Sequence, residues 1–119
     1  MALTITVAEK TSGVLIITPS GSINSSSCKS FEVKVRDILT GAPGVLVFDF
    51  KSVDFMCSAG LQVILDANKT LQEHGKIIVL MNLQPHIMQI FEILNISNLM
   101  QMCVNENELD QYISKIGEI

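Results

Sequence analysis

The sequence contains no tryptophan, one tyrosine and only three cysteines in 119 residues. Cys28, Cys57 and Cys103 are odd in number, far apart and include no CxxC pair, so neither a disulfide framework nor a metal site can be read from them. Reduced thiols in a reducing cytoplasm fit this pattern best. Charge is sparse as well. Charged residues make up 17% of the chain, and eight basic against twelve acidic residues leave a net charge of -4. That sign is wrong for a protein held by phosphate contacts, so nucleic acid and anionic membrane are not expected partners. Long apolar runs are also missing. The richest stretch, residues 77–83, carries Asn82 and is too short to span a bilayer, and residues 1–7 lack a basic flank, so neither a targeting nor a transmembrane segment is expected. Asn95-Ile96-Ser97 has the form of a glycosylation acceptor, but without a secretory signal it is read as accidental.

What is present is apolar material in abundance, 48% of residues with a mean hydropathy of +0.42. That is enough for one buried core, and a length of 119 suits one domain spanning residues 1–119. Leu3, Ile5 and Val7 alternate with polar neighbours. After Ser12-Gly13 comes the run Val14-Leu15-Ile16-Ile17, so the chain should open with a hairpin whose second strand is broken by Pro19, Ser20 and Gly21. Residues 24–27 offer several N-caps for a helix that buries Phe31, Val35, Ile38 and Leu39 and ends at Gly41.

Val45-Leu46-Val47-Phe48-Asp49-Phe50 has the profile of a strand covered on both faces. A second helix follows Met56-Cys57-Ser58-Ala59-Gly60, with Leu61, Ile64, Leu65 and Leu71 inward and Gly75 at its end. Residues 76–80 form another buried strand. Pro85 opens a third helix with Ile87, Ile90, Phe91 and Leu94 inward, and Asn95 is suited to a left-handed turn after it. A short strand within residues 99–104 and a fourth helix, capped by Asn105 or Asn107 and burying Leu109, Tyr112, Ile113 and Ile116, complete the chain. The fold class is α/β, a mixed sheet of four to five strands with about four helices.

The segment with chemical interest is Val53-Asp54-Phe55-Met56-Cys57-Ser58-Ala59-Gly60-Leu61, at the carboxyl end of a central strand, where ligand and partner sites concentrate in such sheets. Ser58 occupies the expected N-cap of the second helix, and the small Ala59 and Gly60 leave its hydroxyl open. An ordinary cap is the plain reading of that serine. A phosphate there would meet the positive end of the helix dipole, a gain of about 1 kcal/mol, and would add nearly two negative charges to the surface. A catalytic reading is weak: Cys57 could act as a nucleophile with a histidine base, but His74 lies about 20 Å away at the far end of the helix. His86 is geometrically possible yet lacks any accompanying acid or oxyanion motif. It reads better as a first-turn surface residue. The methionines, among them Met56, Met88, Met100 and Met102, read as core fillers, with Met56 also an adaptable contact beside Ser58. Glu106, Glu108, Asp110 and Glu118 read as dipole complements and a solvated face, and no cofactor or metal site is expected.

From Gly13 to the C-terminal helix the chain resembles the STAS domain, most closely the bacterial anti-sigma factor antagonists. The resemblance rests on Val45 to Phe50, on Val53 to Leu61 and on Gly75-Lys76-Ile77-Ile78-Val79-Leu80, which are similar to the family's strand, its D-S-x-G-L phosphorylation loop and the strand after it. Gly21-Ser22-Ile23-Asn24 and residues 85–97 add weaker support. The resemblance implies a cytoplasmic, non-enzymatic partner switch. Unphosphorylated, the domain would bind an anti-sigma factor that is often itself a serine protein kinase. Phosphorylation of Ser58 would break that complex, and a serine phosphatase would restore it. The implied contact face comprises Ser22, Asn24 and Ser25 together with Met56, Cys57, Ala59 and Gly60. Two positions depart from the family's pattern: Cys57 and Asn24 stand where aspartates are frequent. A scaffold that is never phosphorylated and a small-ligand module are the alternatives.

Overall fold

The computed structural model describes residues 3–41, 43–96 and 99–117. Strands β1 (Thr4–Thr11) and β2 (Val14–Ile23) form the opening antiparallel hairpin, and helix α1 (Cys28–Leu39) crosses to β3 (Val45–Asp49). A short strand β4 (Ser52–Met56) leads into α2 (Ser58–Gln72). Strand β5 (Ile77–Met81), α3 (Pro85–Ile93), β6 (Gln101–Cys103) and α4 (Glu106–Gly117) complete the chain. The sheet runs β1-β2-β3-β5-β6, with β4 beside the second half of β2, and every pairing except β1 with β2 is parallel.

Two expectations change here. The described sheet has six strands instead of four or five, because the segment before α2 pairs with the sheet and is not a loop. Second, β2 runs through Pro19 to Ile23. The reason is a change of partner. Val14 to Ile17 pair with β3 and Ser20 to Ile23 pair with β4, so Pro19 falls in the gap between two parallel ladders, where its missing N–H leaves no ladder bond unmade on that side. Gly21, at φ 121°, takes up the register shift that follows, a backbone conformation that a β-carbon would strain.

Alternation along the central strands divides the core into two layers. Leu46, Phe48, Ile78 and Leu80 face α1, α2 and α3, packing against Phe31, Val35, Ile64 and Phe91. Val45, Val47, Val79 and Met81 face the other way, onto Cys103 and Leu109, with Tyr112 and Ile113 of α4 over them. All residues of β3 are buried, as its apolar run requires. Asn105 heads α4: its side-chain oxygen accepts from the Glu108 N–H at 3.0 Å while the Glu108 carboxylate accepts from the Val104 N–H at 2.8 Å, a reciprocal capping arrangement. Glu106 and Asp110 do more than face solvent. Both hold Lys10 of β1, at 2.6 and 2.8 Å, tying α4 to the edge of the sheet. Glu118 and Ser97 lie outside the described residues.

Candidate functional site

Because β2, β4 and β5 are parallel, the N-termini of α1, α2 and α3 all emerge on one edge of the sheet, the carboxyl edge. Ser58 lies there, exposed, next to exposed Ala59. It is the first residue of α2 and not its N-cap; Cys57 takes the cap, in extended conformation (φ -80°, ψ 167°) and without a side-chain capping bond. The reason lies one residue back: the Cys57 N–H donates to the Ile23 carbonyl at 2.8 Å, so the β-sheet geometry continues to Cys57 and the helix starts after it. The Ser58 hydroxyl therefore projects from the first turn, beside amides that no side chain of the cap position occupies.

Two residues expected on the contact face turn inward. Met56 is 7% exposed, and Gly60 is buried against β2. A β-carbon on Gly60 would sit 2.7 Å from Ile23 Cγ2 and 3.2 Å from Met56 Cγ, so the glycine allows α2 to approach the sheet and does not meet a partner directly. Ser25 is exposed, and Ser22, Asn24 and Cys57 are half-buried.

The loop before α1 is heavily cross-braced. Asn24 Oδ1 accepts from the Ser26 N–H at 3.0 Å, the Ser26 hydroxyl at 2.8 Å and the Ser27 N–H at 3.2 Å. Ser27 Oγ accepts from the Asn24 N–H at 2.9 Å and donates to the Ser22 carbonyl at 2.7 Å. Ser22 Oγ in turn donates to Asp54 Oδ1 at 2.6 Å, which fastens this loop to β4. His86, at the start of α3, donates through Nε2 to the Asp54 carbonyl at 2.8 Å, so its ring braces β4. A second brace lies just below: buried Asp49 accepts through Oδ1 from the Lys51 N–H at 3.1 Å and from Asn82 Nδ2 at 3.0 Å, joining the ends of β3 and β5. Among the described residues no cluster of three or more metal-ligating side chains exists.

Sequence reasoning missed the apolar surface beside Ser58. A groove of about 230 Å³ runs between the first turn of α2 and α3, floored by Met56, Leu61 and Phe91, with Ser58 on its rim. Ile90 and Leu94, expected to face inward, are 39% and 54% exposed along it, and Phe55 on β4 is 51% exposed. The signal was available: α3 carries apolar residues at 87, 88, 90, 91, 93 and 94, more than one helical stripe can bury. A larger concavity, about 650 Å³, lies along the outer face of α1 between Lys29, Val33 and Arg36. It is a shallow, open space along one helix face between largely solvated side chains, so the smaller, more enclosed groove at Ser58 is the better candidate.

Burial, and then the adjacent Cys57, holds the Cys28 thiol above its ordinary range. Burial, with Glu108 beside it, does the same for Cys103 on the opposite face of the sheet.

Comparison with known proteins agrees with this arrangement. The family model described as the STAS domain matches residues 6–109. BtrV of Bordetella bronchiseptica, a candidate anti-sigma factor antagonist, is 32% identical over 85 residues, covering 71% of this chain and 73% of BtrV. Among solved structures, a candidate anti-sigma factor antagonist from Thermotoga maritima superposes with a TM-score of 0.86 at 16% identity, covering 92% of this chain and 94% of its own. The anti-sigma factor antagonist SpoIIAA in its unphosphorylated form gives a TM-score of 0.74 at 18% identity, covering 93% of this chain and 98% of its own. The phosphorylated form, described as a Bacillus cell fate determinant, gives 0.72 at 19% identity, covering 92% and 99%. No helix among the described residues is long and apolar enough to cross a membrane. With the family model matched from β1 into α4 and the same topology in these neighbours, the chain belongs to the STAS-domain family that includes the anti-sigma factor antagonists.

Proposed function

We propose that residues 1–119 act as one cytoplasmic STAS domain that binds an anti-sigma factor with serine kinase activity, and that phosphorylation of Ser58 releases it. The observation that carries this reading is the exposed Ser58 hydroxyl in the first turn of α2, on the rim of an apolar groove. Ser58, Ala59, Ser22, Asn24 and Ser25 surround the contact, Cys57 is half-buried beside it, and Met56 and Gly60 support it from below. Phe55, Ile90 and Leu94 extend the face with apolar area that a protein partner would cover. A phosphate on Ser58 would put nearly two negative charges at the edge of that area, where desolvating them is costly unless a cation receives them. A serine phosphatase would return the domain to its binding form.

Co-precipitation with the cognate kinase tests this directly. Ser58→Ala should bind as the wild type does, and Ser58→Asp should lose binding. The presence of Cys57 and Asn24 at positions where the family's motif favours aspartate supports a second reading, a scaffold that is never phosphorylated. Equal binding by both variants would favour that scaffold.

A further inference from the structure

The two ends of the sheet path β1-β2-β3-β5-β6 are built differently. Strand β6 is three residues long, a short edge that offers a second chain little to pair with. At the opposite end β1 is eight residues long and mostly exposed, and among the described residues no strand pairs with its outer side. Edge strands are ordinarily blunted by a proline, a bulge or an outward lysine. Thr4 to Ala8 carry none of these. The bulge falls beyond them, between Glu9 and Thr11, and Lys10 is drawn away to Glu106 and Asp110 of α4. What remains is Thr4-Ile5-Thr6-Val7-Ala8, uncharged, rich in β-branched residues and open along its hydrogen-bonding side.

We propose that this edge pairs with the same edge of a second copy of the chain, antiparallel about a two-fold axis through Thr6, joining two six-stranded sheets into one. Side chains set the register. Leu3 and Ile5 pack against the core layer under the helices, and alternation puts Val7 on that face and Thr4, Thr6 and Ala8 on the other. With the axis at Thr6, Ile5 lies opposite the second copy's Val7, Thr4 opposite its Ala8, and Thr6 opposite its own counterpart. Apolar residues thus meet on the helix face, covering a Val7 that is 38% exposed in the single chain, and a threonine pair forms on the other. Charge and polarity disfavour the neighbouring registers. In this one Glu9 faces the second copy's Leu3, so the two Glu9 carboxylates are about 20 Å apart, beyond a Debye length. An axis at Ala8 would bring them to about 7 Å, and an axis at Val7 would set Ile5 against Glu9. The axis stands perpendicular to the joined sheet, so both helix layers lie on one side and the two carboxyl edges point in opposite directions. Each Ser58 face stays open, and the dimer presents two of them. The contact is a strip one strand wide, in the small class of interface that dissociates on dilution, with a dissociation constant of about tens of micromolar. This pairing does not rest on the partner switch proposed above.

Sedimentation equilibrium of the full chain, from about 1 μM to about 1 mM, tests the pairing, and the wild type should pass reversibly from monomer to dimer across that range. Thr6→Lys changes an exposed position and sets two ammonium groups opposite each other at the axis. It should weaken the dimer about tenfold or more while the urea unfolding of the monomer stays near that of the wild type. A second variant reads the register directly. Under mild oxidation Thr6→Cys should yield a disulfide-linked dimer whose tryptic digest joins residues 1–10 of one copy to residues 1–10 of the other. A wild type that stays monomeric at the highest concentration, a folded Thr6→Lys variant that dimerises as tightly as the wild type, or a Thr6→Cys dimer without that cross-linked pair would each overturn the proposal. None of these readouts involves a kinase, so failure of the β1 pairing and failure of the Ser58 switch are seen separately.

Discussion

Helices α1 and α2 start side by side on the same edge of the sheet, and the two starts are built differently. Ahead of α1 the chain closes on itself: Asn24 Oδ1 takes up the Ser26 and Ser27 amides, Ser27 Oγ bridges Asn24 and Ser22, and Ser22 is fastened to Asp54. Ahead of α2 there is no such turn. The chain enters directly from β4, the cap is a cysteine without a capping bond, and the next residues are an exposed serine and an exposed alanine. One helix start spends its donors on its own loop, and the other leaves its first turn sterically and electrostatically ready for an added anion. A braced start holds position, and an open start beside it can change charge without the loops around it having to rearrange.

The largest expected effect breaks the open start by giving it a fixed charge. Ser58→Asp should weaken binding to the cognate kinase by about 3 kcal/mol, roughly a hundredfold or more, by calorimetry, with Ser58→Ala within experimental scatter of wild type. Next is Gly60→Ala, which forces a β-carbon against Ile23 and Met56 and should cost about 2 kcal/mol in urea unfolding, since fully buried Ile23 has little room to yield. Removing the brace at the other start, Asn24→Ala leaves the amides of Ser26 and Ser27 without their side-chain acceptor and should cost about 1.5 kcal/mol.

Closing the open start sharpens the comparison from the other direction. Cys57→Asp supplies a capping carboxylate and should add about 1 kcal/mol near neutral pH. Capping lowers the folded pKa of the introduced carboxylate, so this gain is present above its unfolded value of about 3.9 and disappears as pH falls through the folded value. The smallest effect belongs to the control far from both starts. Lys10→Ala should cost about 0.5 kcal/mol after solvent screening, less in high salt. Hydrogen bonds that Lys10 donates to Asp110 and then Glu106 raise its pKa above 10.5, so its contribution is full below that value and is lost as pH rises through the raised one. A urea titration near neutral pH and another above the raised value would reveal the difference.

Fold class and much of the element order were legible because β3 and β5 are apolar runs bounded by breakers, and α1, α2 and α4 carry single apolar stripes. The sequence was silent where tertiary partners decide. Strand β4, with Ser52, Asp54 and Phe55 outward, has too little pattern to be told from a loop, and only pairing with β2 makes it a strand. Pro19 reads as a breaker until the change of partner along β2 is known. At the site, Ser58 was legible as the exposed residue at the head of α2, but the position of the cap was displaced by one because the Cys57–Ile23 bond is a long-range contact. Met56 and Gly60 read as surface because they flank Ser58 in sequence, and the tight approach of α2 to the sheet puts them beneath it.

Whether the open start of α2 receives a phosphate in the cell separates the switch from the scaffold. Phosphosite mapping by mass spectrometry on the protein isolated from its native cells, beside a matched sample treated with phosphatase, reads this directly. Phosphate on Ser58 that disappears on phosphatase treatment is the result predicted; a Ser58 peptide that stays unmodified under growth and stress conditions alike would contradict it.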